Sequence, residues 1–544
     1  MTSHPHRDGR WPSTPLSLAI IAVIDVTLIA LGLAACKPTA PAGNAVALAT
    51  PVANPCGAFA PTQTPALPVN PGNDQTQVDC AAWGAFIALN WRADPARPGF
   101  PDPAADWASF GTPGDDSPKV WESYLEASNV FGDKAPLKGM WQARRPGIKA
   151  LSRLSKLGNL DLSAIAQAGS GDHWLTNQRG DVTYYEVLMN QDEFEFITQD
   201  HFDLTTAAGQ LACATQPGKP VSDGPPIKPP YPPGTVLRGG INFPAGQANG
   251  WDDTDCSGNI HAFGQGVGAM EVKAAWTPLP TDHSLDYRYK TAQAEILDPT
   301  TKKVRTVTVG LTGLHIIRKR FPRLPWVWAT FEQIDNSPDE AAGGGFTPPA
   351  LPANPNQKAS PGFTFFNPGC DPAKDKVYAC KHNAPPTPCG TAGTPCDPYT
   401  APMQITRINP VGATANGVTA YVWGMLPARS VFNYYRLVDV QWPQTGIATP
   451  TPGPGLKTPL TYGNPKPQGA AGGPTQIVAN TTLESFQQSS NACMDCHVFA
   501  PIASPQLLAA AGPHGLRKVA KPVAGAAAPY AADYSFLFVS ETKR

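Results

Sequence analysis

The stretch Val304–Arg318, VRTVTVGLTGLHIIR, is the longest of four strand-like runs in the sequence. It is rich in valine, threonine and isoleucine, which favour extended backbone. The other three runs lie at 270–276, 287–297 and 326–334. Four strands within about 65 residues predict an antiparallel β-sheet as the body of the fold.

Short helices and many loops are expected around this sheet. Apolar residues recur at helical spacing at 79–91 and 121–131, and a further helix is expected near 430–438. A predicted strand at 183–189 is followed by Asn190, which can cap the start of a helix. The sequence contains 62 prolines and 50 glycines among 544 residues, a composition typical of a loop-rich chain.

A second stretch, CMDCH, places Cys493, Cys496 and His497 in the pattern C-x-x-C-H. This is the attachment pattern of a c-type haem, in which two thiols bond the haem vinyl groups and the histidine binds iron. Residues i, i+3 and i+4 share one face of a helix, so all three side chains can reach one porphyrin. The pattern predicts one covalent haem c with His497 as its proximal iron ligand. The alternative is a C-x-x-C disulfide that happens to precede a histidine.

The second axial ligand of the iron is not fixed by the sequence. Small cytochromes c commonly use a methionine that follows the motif, but none follows it here. The candidates are His315, His514, Met270 and Met425, and an open or water-filled position is a further alternative. The basic residues at 318–320 could pair with the haem propionates.

His315 is the candidate that lies inside the long predicted strand. A nearby glycine could let a flat ring approach the backbone closely. The alternative is a core histidine that is hydrogen-bonded to the backbone. If the strand has no bulge, side chains alternate between its two faces. One face then carries Val307, Val309, Leu311, Gly313, His315 and Ile317.

The haem segment is short, because 47 residues follow His497 in this sequence. Thr481 and Glu484 have the spacing of a capping box and predict the start of a helix. A segment of this size cannot enclose a porphyrin alone. The body of the protein is therefore expected to supply part of the haem pocket. The predicted fold class is therefore α+β, loop-rich and rich in proline and glycine, with an antiparallel β-sheet body and a short C-terminal helical haem c segment.

The first 36 residues have the features of a secretory signal peptide. Arg7 and Arg10 precede an apolar run at 16–35. The run ends in LAAC, with Cys36 last, which resembles the lipobox of bacterial lipoproteins. Asp25 within the run argues against a retained anchor helix, the alternative interpretation. We expect a protein anchored by lipid at Cys36 on the periplasmic side of a bacterial membrane, and the lysine that follows favours the outer membrane.

Eight of the 11 cysteines lie outside the lipobox and the haem motif. An even number in an exported chain predicts disulfides. The cluster at 370–396 is expected to pair within itself. Zinc is the alternative there, but the spacing does not match the usual zinc knuckles. These eight residues are Cys56, Cys80, Cys213, Cys256, Cys370, Cys380, Cys389 and Cys396.

Charge and composition set the domain organisation and exclude one class of partner. The formal net charge is −1, so no broad basic surface is available for nucleic acid.

Length and proline content predict several regions. They are a signal peptide and lipobox at 1–36, a Pro/Ala-rich tether at 37–55, an N-terminal α+β region at 56–234, a β-rich region with the cysteine cluster at 235–475 and the haem c segment at 476–544.

The chain resembles bacterial cytochrome c family lipoproteins. The resemblance rests on the lipobox and the haem motif, and more loosely on FIALNW at 86–91, EVKAAW at 271–276, GLHIIR at 313–318 and WATFE at 328–332. It implies covalent haem iron, export and electron transfer with a periplasmic redox partner protein. It implies no substrate, so enzymatic activity is undecided. Alternatives are a haem-dependent oxidoreductase, peroxidase-like or oxygen-activating, with an open iron position, and a haem-based sensor or binding lipoprotein.

Overall fold

One large sheet carries the fold. The computed structural model describes residues 54–57, 65–68, 74–131, 139–143, 147–151, 173–199, 202–215, 240–321, 326–340, 345–374, 380–387, 397–442, 477–488, 493, 497, 500, 502–503 and 532–540. Within these residues the fold is mixed α and β, with a curled, mainly antiparallel sheet and few helices, as the sequence predicted. No helix in the described ranges is long and apolar enough to cross a bilayer.

The large sheet contains eight strands in the described part of the chain, and a further pair forms a small hairpin-like sheet. The path through the large sheet is β1-β3-β4-β6-β5-β2, and β7 pairs with both β6 and β10. The strands are β1 (Leu125–Glu126), β2 (Lys149–Leu151), β3 (Tyr184–Met189), β4 (Met270–Pro278), β5 (Thr291–Leu297), β6 (Val304–Arg318), β7 (Val327–Gln333), β8 (Asp339–Glu340), β9 (Phe346–Thr347) and β10 (Tyr435–Gln441).

Strand β6 is the centre of the sheet because it is long enough to pair with three neighbours. Its first half, to Gly310, pairs with β5. Its second half, from Gly313, pairs with β7, and β4 pairs along its other edge. The bounds of β6 are those predicted from the sequence. Strands β4, β5 and β7 likewise confirm the three neighbouring predictions, with ends shifted by a few residues.

Among the described residues, the helices are short apart from two. Helix α1 packs on the sheet, where the rings of Trp83 and Phe331 lie 5.1 Å apart. Asn190 caps α4 as predicted, since its side chain accepts a hydrogen bond from the Glu193 backbone N–H. The helices are α1 (Gln75–Leu89), α2 (Ala127–Val130), α3 (Met140–Ala143), α4 (Gln191–Ile197), α5 (Ala207–Ala214), α6 (Ala413–Met425) and α7 (Leu537–Ser540).

Three helix predictions were wrong in whole or in part in the described residues. The helix expected at 121–131 is broken into a 3-10 helix at Trp121–Ser123, strand β1 and the one-turn helix α2. The segment 430–438 forms a short 3-10 helix followed by β10, because pairing with β7 outweighs its local helical pattern. Residues 481–488 form successive turns instead of the helix expected from the capping box. There the Glu484 carboxylate accepts from the backbone N–H of Asn480, not of Thr481.

Three disulfides join the described cysteines. Cys56 bonds Cys80, Cys213 bonds Cys256, and Cys370 bonds Cys380. The third pair confirms pairing inside the predicted cluster and excludes zinc for those two thiols. The other residues named from the sequence as lipid, cysteine-cluster or haem-site residues lie outside the described residues. They are Cys36, Cys389, Cys396, Cys496 and His514.

Candidate functional site

Cys493 and His497 lie four residues apart, and both have helical backbone. The three residues between them lie outside the described chain. Both described side chains are partly buried. That the motif forms one helical turn carrying a haem stays a prediction.

The imidazole of His497 is held by a backbone carbonyl and by aromatic rings. Its Nδ1 lies 2.8 Å from the carbonyl oxygen of Tyr534. Its ring centroid is 4.2 Å from that of Trp328 on β7 and 5.1 Å from that of Phe536. A carbonyl oxygen only accepts hydrogen bonds, so Nδ1 carries the hydrogen. In a neutral ring the lone pair is then on Nε2.

The turn that supplies this carbonyl has an unusual backbone. Asp533 and Tyr534 have φ angles of 50° and 70°, values that few residues other than glycine adopt. Two consecutive residues in this conformation turn the Tyr534 carbonyl toward His497. Uncommon backbone of this kind persists only where surrounding contacts hold it, and it clusters at functional sites. Here Lys319 holds Asp533 through an ion pair of 2.6 Å.

Burial keeps the His497 ring neutral at pH 7. Removal from water lowers the pKa of His497 to about 4, although the hydrogen bond to Tyr534 opposes this shift. The positive charge of Lys273 and of a protonated His315 lowers the pKa further, and Glu484 opposes it. These three residues are thus close enough to act on the imidazole electrostatically.

The sheet has two distinct faces, and His497 lies on the one opposite α1. Phe331 points to α1, so its neighbour Thr330 and the next alternate residue, Trp328, point to the other side. We call this other side the site face. His315 pairs directly with Thr330 on β7 and with Lys273 on β4, and directly paired residues share a face. The site face therefore carries the Trp328–His497 contact together with a histidine and a lysine.

A bulge in β6 corrects the predicted surroundings of His315. Trp276 pairs with Leu311, whereas Ala275 pairs with Gly313, so Thr312 is an extra residue on β6. Because adjacent residues of β4 point to opposite faces, Leu311 and Gly313 also do. The expectation that His315 shares one apolar face with Val307, Val309 and Leu311 was wrong. His315 instead shares the site face with Gly313 and Ile317.

His315 is engaged by the C-terminal segment. Its Nε2 lies 2.8 Å from Oε1 of Glu484. Burial raises the pKa of Glu484, but the neighbouring charges of His315 and Lys273 outweigh this, and the net pKa is lowered. The hydroxyl of Tyr185 on β3 donates to the Thr482 carbonyl, 2.8 Å away. The segment around Glu484 therefore docks on the polar residues of the site face.

Hydrogen bonds from two further residues fix the same segment. Asn480 Nδ2 donates to the Thr330 hydroxyl at 3.0 Å and to the Phe331 carbonyl at 2.7 Å. Thr481 Oγ1 donates to Glu332 at 2.9 Å. These contacts show that residues 480–482 pack directly on the sheet; that the body of the protein supplies part of a haem pocket stays a prediction.

The remaining sequence-based candidates lie elsewhere. Met270 pairs with Arg318, and its sulfur lies 3.9 Å from the Tyr124 hydroxyl, on the face opposite the site face. Met425 ends α6, and its carbonyl accepts from Trp107 at 3.3 Å. Neither methionine lies beside His497. Arg318 also points away from the site face, because it is paired in register with Val327.

Three residues of the site were missed or interpreted differently from sequence. Trp328 was identified only as part of a predicted strand, Glu484 was expected to cap a helix, and Lys273 was not singled out. Alternation along 326–334 was the only signal for Trp328. Lys273 and Glu271 are two charges in an otherwise largely apolar strand, and that break in the pattern could have indicated Lys273.

No group of three or more His, Cys, Asp or Glu side chains in the described ranges could hold a metal ion. His497 lies four residues after Cys493 in the sequence, and its Nδ1 is hydrogen bonded to a carbonyl. Such a histidine is compatible with a ligand to haem iron. In comparisons with known proteins, no family, no curated sequence and no solved structure matches this chain.

Proposed function

We propose that this protein is a lipid-anchored, monohaem c-type cytochrome that transfers single electrons to or from a periplasmic redox partner protein. The observation that carries the proposal is the 2.8 Å contact between His497 Nδ1 and the Tyr534 carbonyl. It fixes the tautomer in which Nε2 can bind a metal, within a C-x-x-C-H sequence. Histidines that bind iron through one ring nitrogen commonly donate the N–H of the other ring nitrogen to a backbone carbonyl.

The residues around His497 would each have a role. Cys493 and Cys496 would hold the haem through thioethers, and the Tyr534 carbonyl would orient the imidazole. Trp328 covers part of the imidazole and would exclude water from it. When bound, haem supplies an iron that accepts and releases one electron. Burial and the charges of Lys273 and Glu484 would then tune its potential.

Covalent haem is tested by staining the full-length protein for haem after denaturing electrophoresis. We expect the wild-type band to stain and the Cys493→Ala, Cys496→Ala double variant to lose all stain. The matched control is Cys370→Ala with Cys380→Ala, which removes a described disulfide and should leave the stain unchanged. A wild-type band that does not stain, when produced with an intact haem c attachment system, contradicts the proposal.

Carrier and enzyme are separated by carbon monoxide binding to the reduced protein. An electron carrier needs two axial ligands, whereas an oxidoreductase needs an open iron position. We propose His514 or His315 as the second ligand, and the His315 bond to Glu484 must then break. We expect little carbon monoxide binding in the wild type and full binding when the ligand is replaced by alanine. Rapid, complete binding by the wild type would favour the haem-dependent oxidoreductase.

The anchor is proposed from the sequence alone. Cys36 would carry the lipid on the periplasmic side of the bacterial membrane, and the outer membrane is the proposed location. Cys36→Ser should release the protein from the membrane fraction without loss of the haem stain. A Cys36→Ser variant that stays in the membrane fraction would contradict lipid anchoring and leave the haem proposal intact.

A further inference from the structure

Asp533 is a buried carboxylate whose two oxygens are held by different parts of the chain. Neither its side chain nor that of Lys319 is exposed to solvent, and Lys319 Nζ lies 2.6 Å from Asp533 Oδ1. The backbone N–H of Phe243 donates to Oδ2 at 2.9 Å. Burial raises the pKa of Asp533 to about 6, and Lys319 opposes this shift, so the group is mainly ionised at pH 7. Contacts from outside its own segment therefore fix both oxygens.

The turn formed by residues 532–535 is tied directly to the segment of His497. The Ser535 N–H donates to the Ala532 carbonyl at 3.0 Å, which closes the turn. The Ala532 N–H donates to the Ala500 carbonyl at 2.9 Å, and the Ala500 N–H donates to the His497 carbonyl at 3.1 Å. The backbone that carries the imidazole and the turn that faces it are thus joined by hydrogen bonds.

The position of the Tyr534 carbonyl depends on a turn conformation that needs support from other contacts. Both central residues of the turn, Asp533 and Tyr534, have positive φ, which is the pattern of a type I′ turn and favours asparagine and glycine. A bulky residue such as tyrosine rarely adopts it. Loss of the ion pair with Lys319 is therefore expected to release the turn. The carbonyl that lies 2.8 Å from His497 Nδ1 would then move.

We propose that Asp533, paired with Lys319, is a positioning residue that acts through the Tyr534 carbonyl and keeps the hydrogen of the His497 imidazole on Nδ1. If either partner is removed, the other cannot stay in place as an unpaired buried charge, because such a charge is strongly unfavourable. This part of the inference depends only on contacts within the described chain.

The consequence for iron rests in addition on the proposed haem function. A hydrogen bond from Nδ1 to a carbonyl makes the imidazole of His497 a more basic ligand. A more basic ligand favours oxidised iron and so lowers the reduction potential of the haem. Asp533 would therefore help to hold the potential down, although it does not touch the imidazole.

Nitrogen-15 NMR of the histidine rings tests the positioning in full-length protein made without the haem c attachment system. The His497 signal, assigned by its loss in His497→Ala, should show hydrogen on Nδ1 in the wild type. In Asp533→Asn and in Lys319→Met, a second tautomer with hydrogen on Nε2 should appear. The matched control is Asp335→Asn, which breaks another buried ion pair of 2.6 Å, with Arg288, and should leave the signal unchanged.

The reduction potential of the haem-loaded protein separates positioning from a direct effect of charge. A weaker bond at Nδ1 should raise the potential in both Asp533→Asn and Lys319→Met. Charge alone would raise it in Asp533→Asn, which removes a negative charge, but not in Lys319→Met, which removes a positive one. Lys319→Met also carries the test if Asp533→Asn does not fold, because the Asp533 carboxyl can then take up a proton and leave no buried charge.

The two measurements have separate outcomes. A single Nδ1–H tautomer in both variants, an Nε2–H tautomer in the wild type, or an equal change in Asp335→Asn would each overturn the inference. A potential that does not rise in Lys319→Met would also overturn it. A wild-type protein without haem stain would instead contradict the proposed function, and the tautomer of His497 would still decide whether Asp533 positions the ring.

Discussion

Gly313 shows how one residue on β6 determines what can lie on the site face. A Cβ atom at this position would lie 2.3 Å from Thr482 Oγ1 and 2.9 Å from Asn480 Oδ1. Real Cβ atoms do not approach polar atoms so closely. The absence of a side chain therefore lets the C-terminal segment rest directly on the strand. The sequence predicted that a flat ring could approach the backbone closely beside a glycine of this strand. A close approach occurs at Gly313, but the approaching group is the peptide segment that contains Asn480 and Thr482.

Gly313→Ala should destabilise the protein by about 1–3 kcal/mol, the usual cost of overpacking a tight contact. The matched control is Gly417→Ala on an exposed turn of α6, where nothing lies within 4 Å of the new Cβ. That change should stabilise by about 0.5–1 kcal/mol, because alanine favours helix more than glycine does. Urea unfolding measures both. Equal effects of the two substitutions would contradict the close contact at Gly313.

Single residues of the site could be predicted only where the chain carries a local pattern. His497 was found from its motif and His315 from its place in a strand. Trp328 and Lys273 belong to the site because of the register in which their strands pair and because their side chains lie on the face opposite α1. Both features depend on contacts between residues far apart in the chain. The bulge at Thr312 has no signal in local sequence either, and it reversed the predicted face of the first half of β6.

At the scale of elements, a buried ion cluster joins β7, β10 and the C-terminal segment. Glu332 on β7 bonds Arg436 on β10 at 2.9 Å and also bonds Arg407. Burial raises the pKa of Glu332, but the two arginines outweigh it and lower the net value. Arg407 Nη1 in turn donates to the Ala479 carbonyl at 3.1 Å. Glu332 therefore neutralises the cations that hold the segment beside Thr481.

Glu332→Gln should destabilise the protein by about 3–5 kcal/mol, because it leaves buried arginines without their counter-charge. Amide hydrogen exchange in 480–485 should accelerate more than exchange in β4. Asp94→Asn, which breaks an exposed pair with Arg97, is the control and should change little. A Glu332→Gln protein as stable as the wild type would show that the cluster does not hold the segment.

Whole elements were predicted well where a run of β-branched residues forms a buried strand. Strand β6 is of this kind, and β4, β5 and β7, which were also predicted, contain fewer β-branched residues. The prediction failed at 430–438, where a helical pattern forms β10 because β7 offers an unpaired edge. It failed again at 481–488, where side chains bond to the sheet and replace helical bonds. Tertiary contacts decide such segments, and a single sequence does not display them.

Over the whole molecule, buried carboxyl groups set the pH dependence of stability. Burial raises the pKa of Glu271 to about 7 and that of Asp533 to about 6. The folded protein therefore keeps protons that the unfolded chain loses from about pH 4.5 upward. More protons bound in the folded state means that stability falls as pH rises through this range. The loss should be complete once the pH exceeds the folded-state values.

Glu271→Gln should remove the part of this dependence that Glu271 contributes, since glutamine stays neutral at every pH. Its free energy of unfolding should match the wild type near pH 5 and exceed it near pH 8 by on the order of 2–3 kcal/mol. Urea unfolding across pH 5–8 measures the difference, with the exposed Asp282→Asn as control. A variant that is less stable than the wild type at pH 8 would show that Glu271 is charged in the folded protein.

The docking of residues 477–488 on the site face places the last cover of the sheet late in the chain. All ten strands of the described chain precede this segment, and Cys493 follows it, so the strands are synthesised before either. Until the segment docks, His315 lacks the carboxylate of Glu484 and the face beside Trp328 is less covered. The sheet must therefore hold its shape without this cover, and the segment adds its contacts to a surface that is already formed.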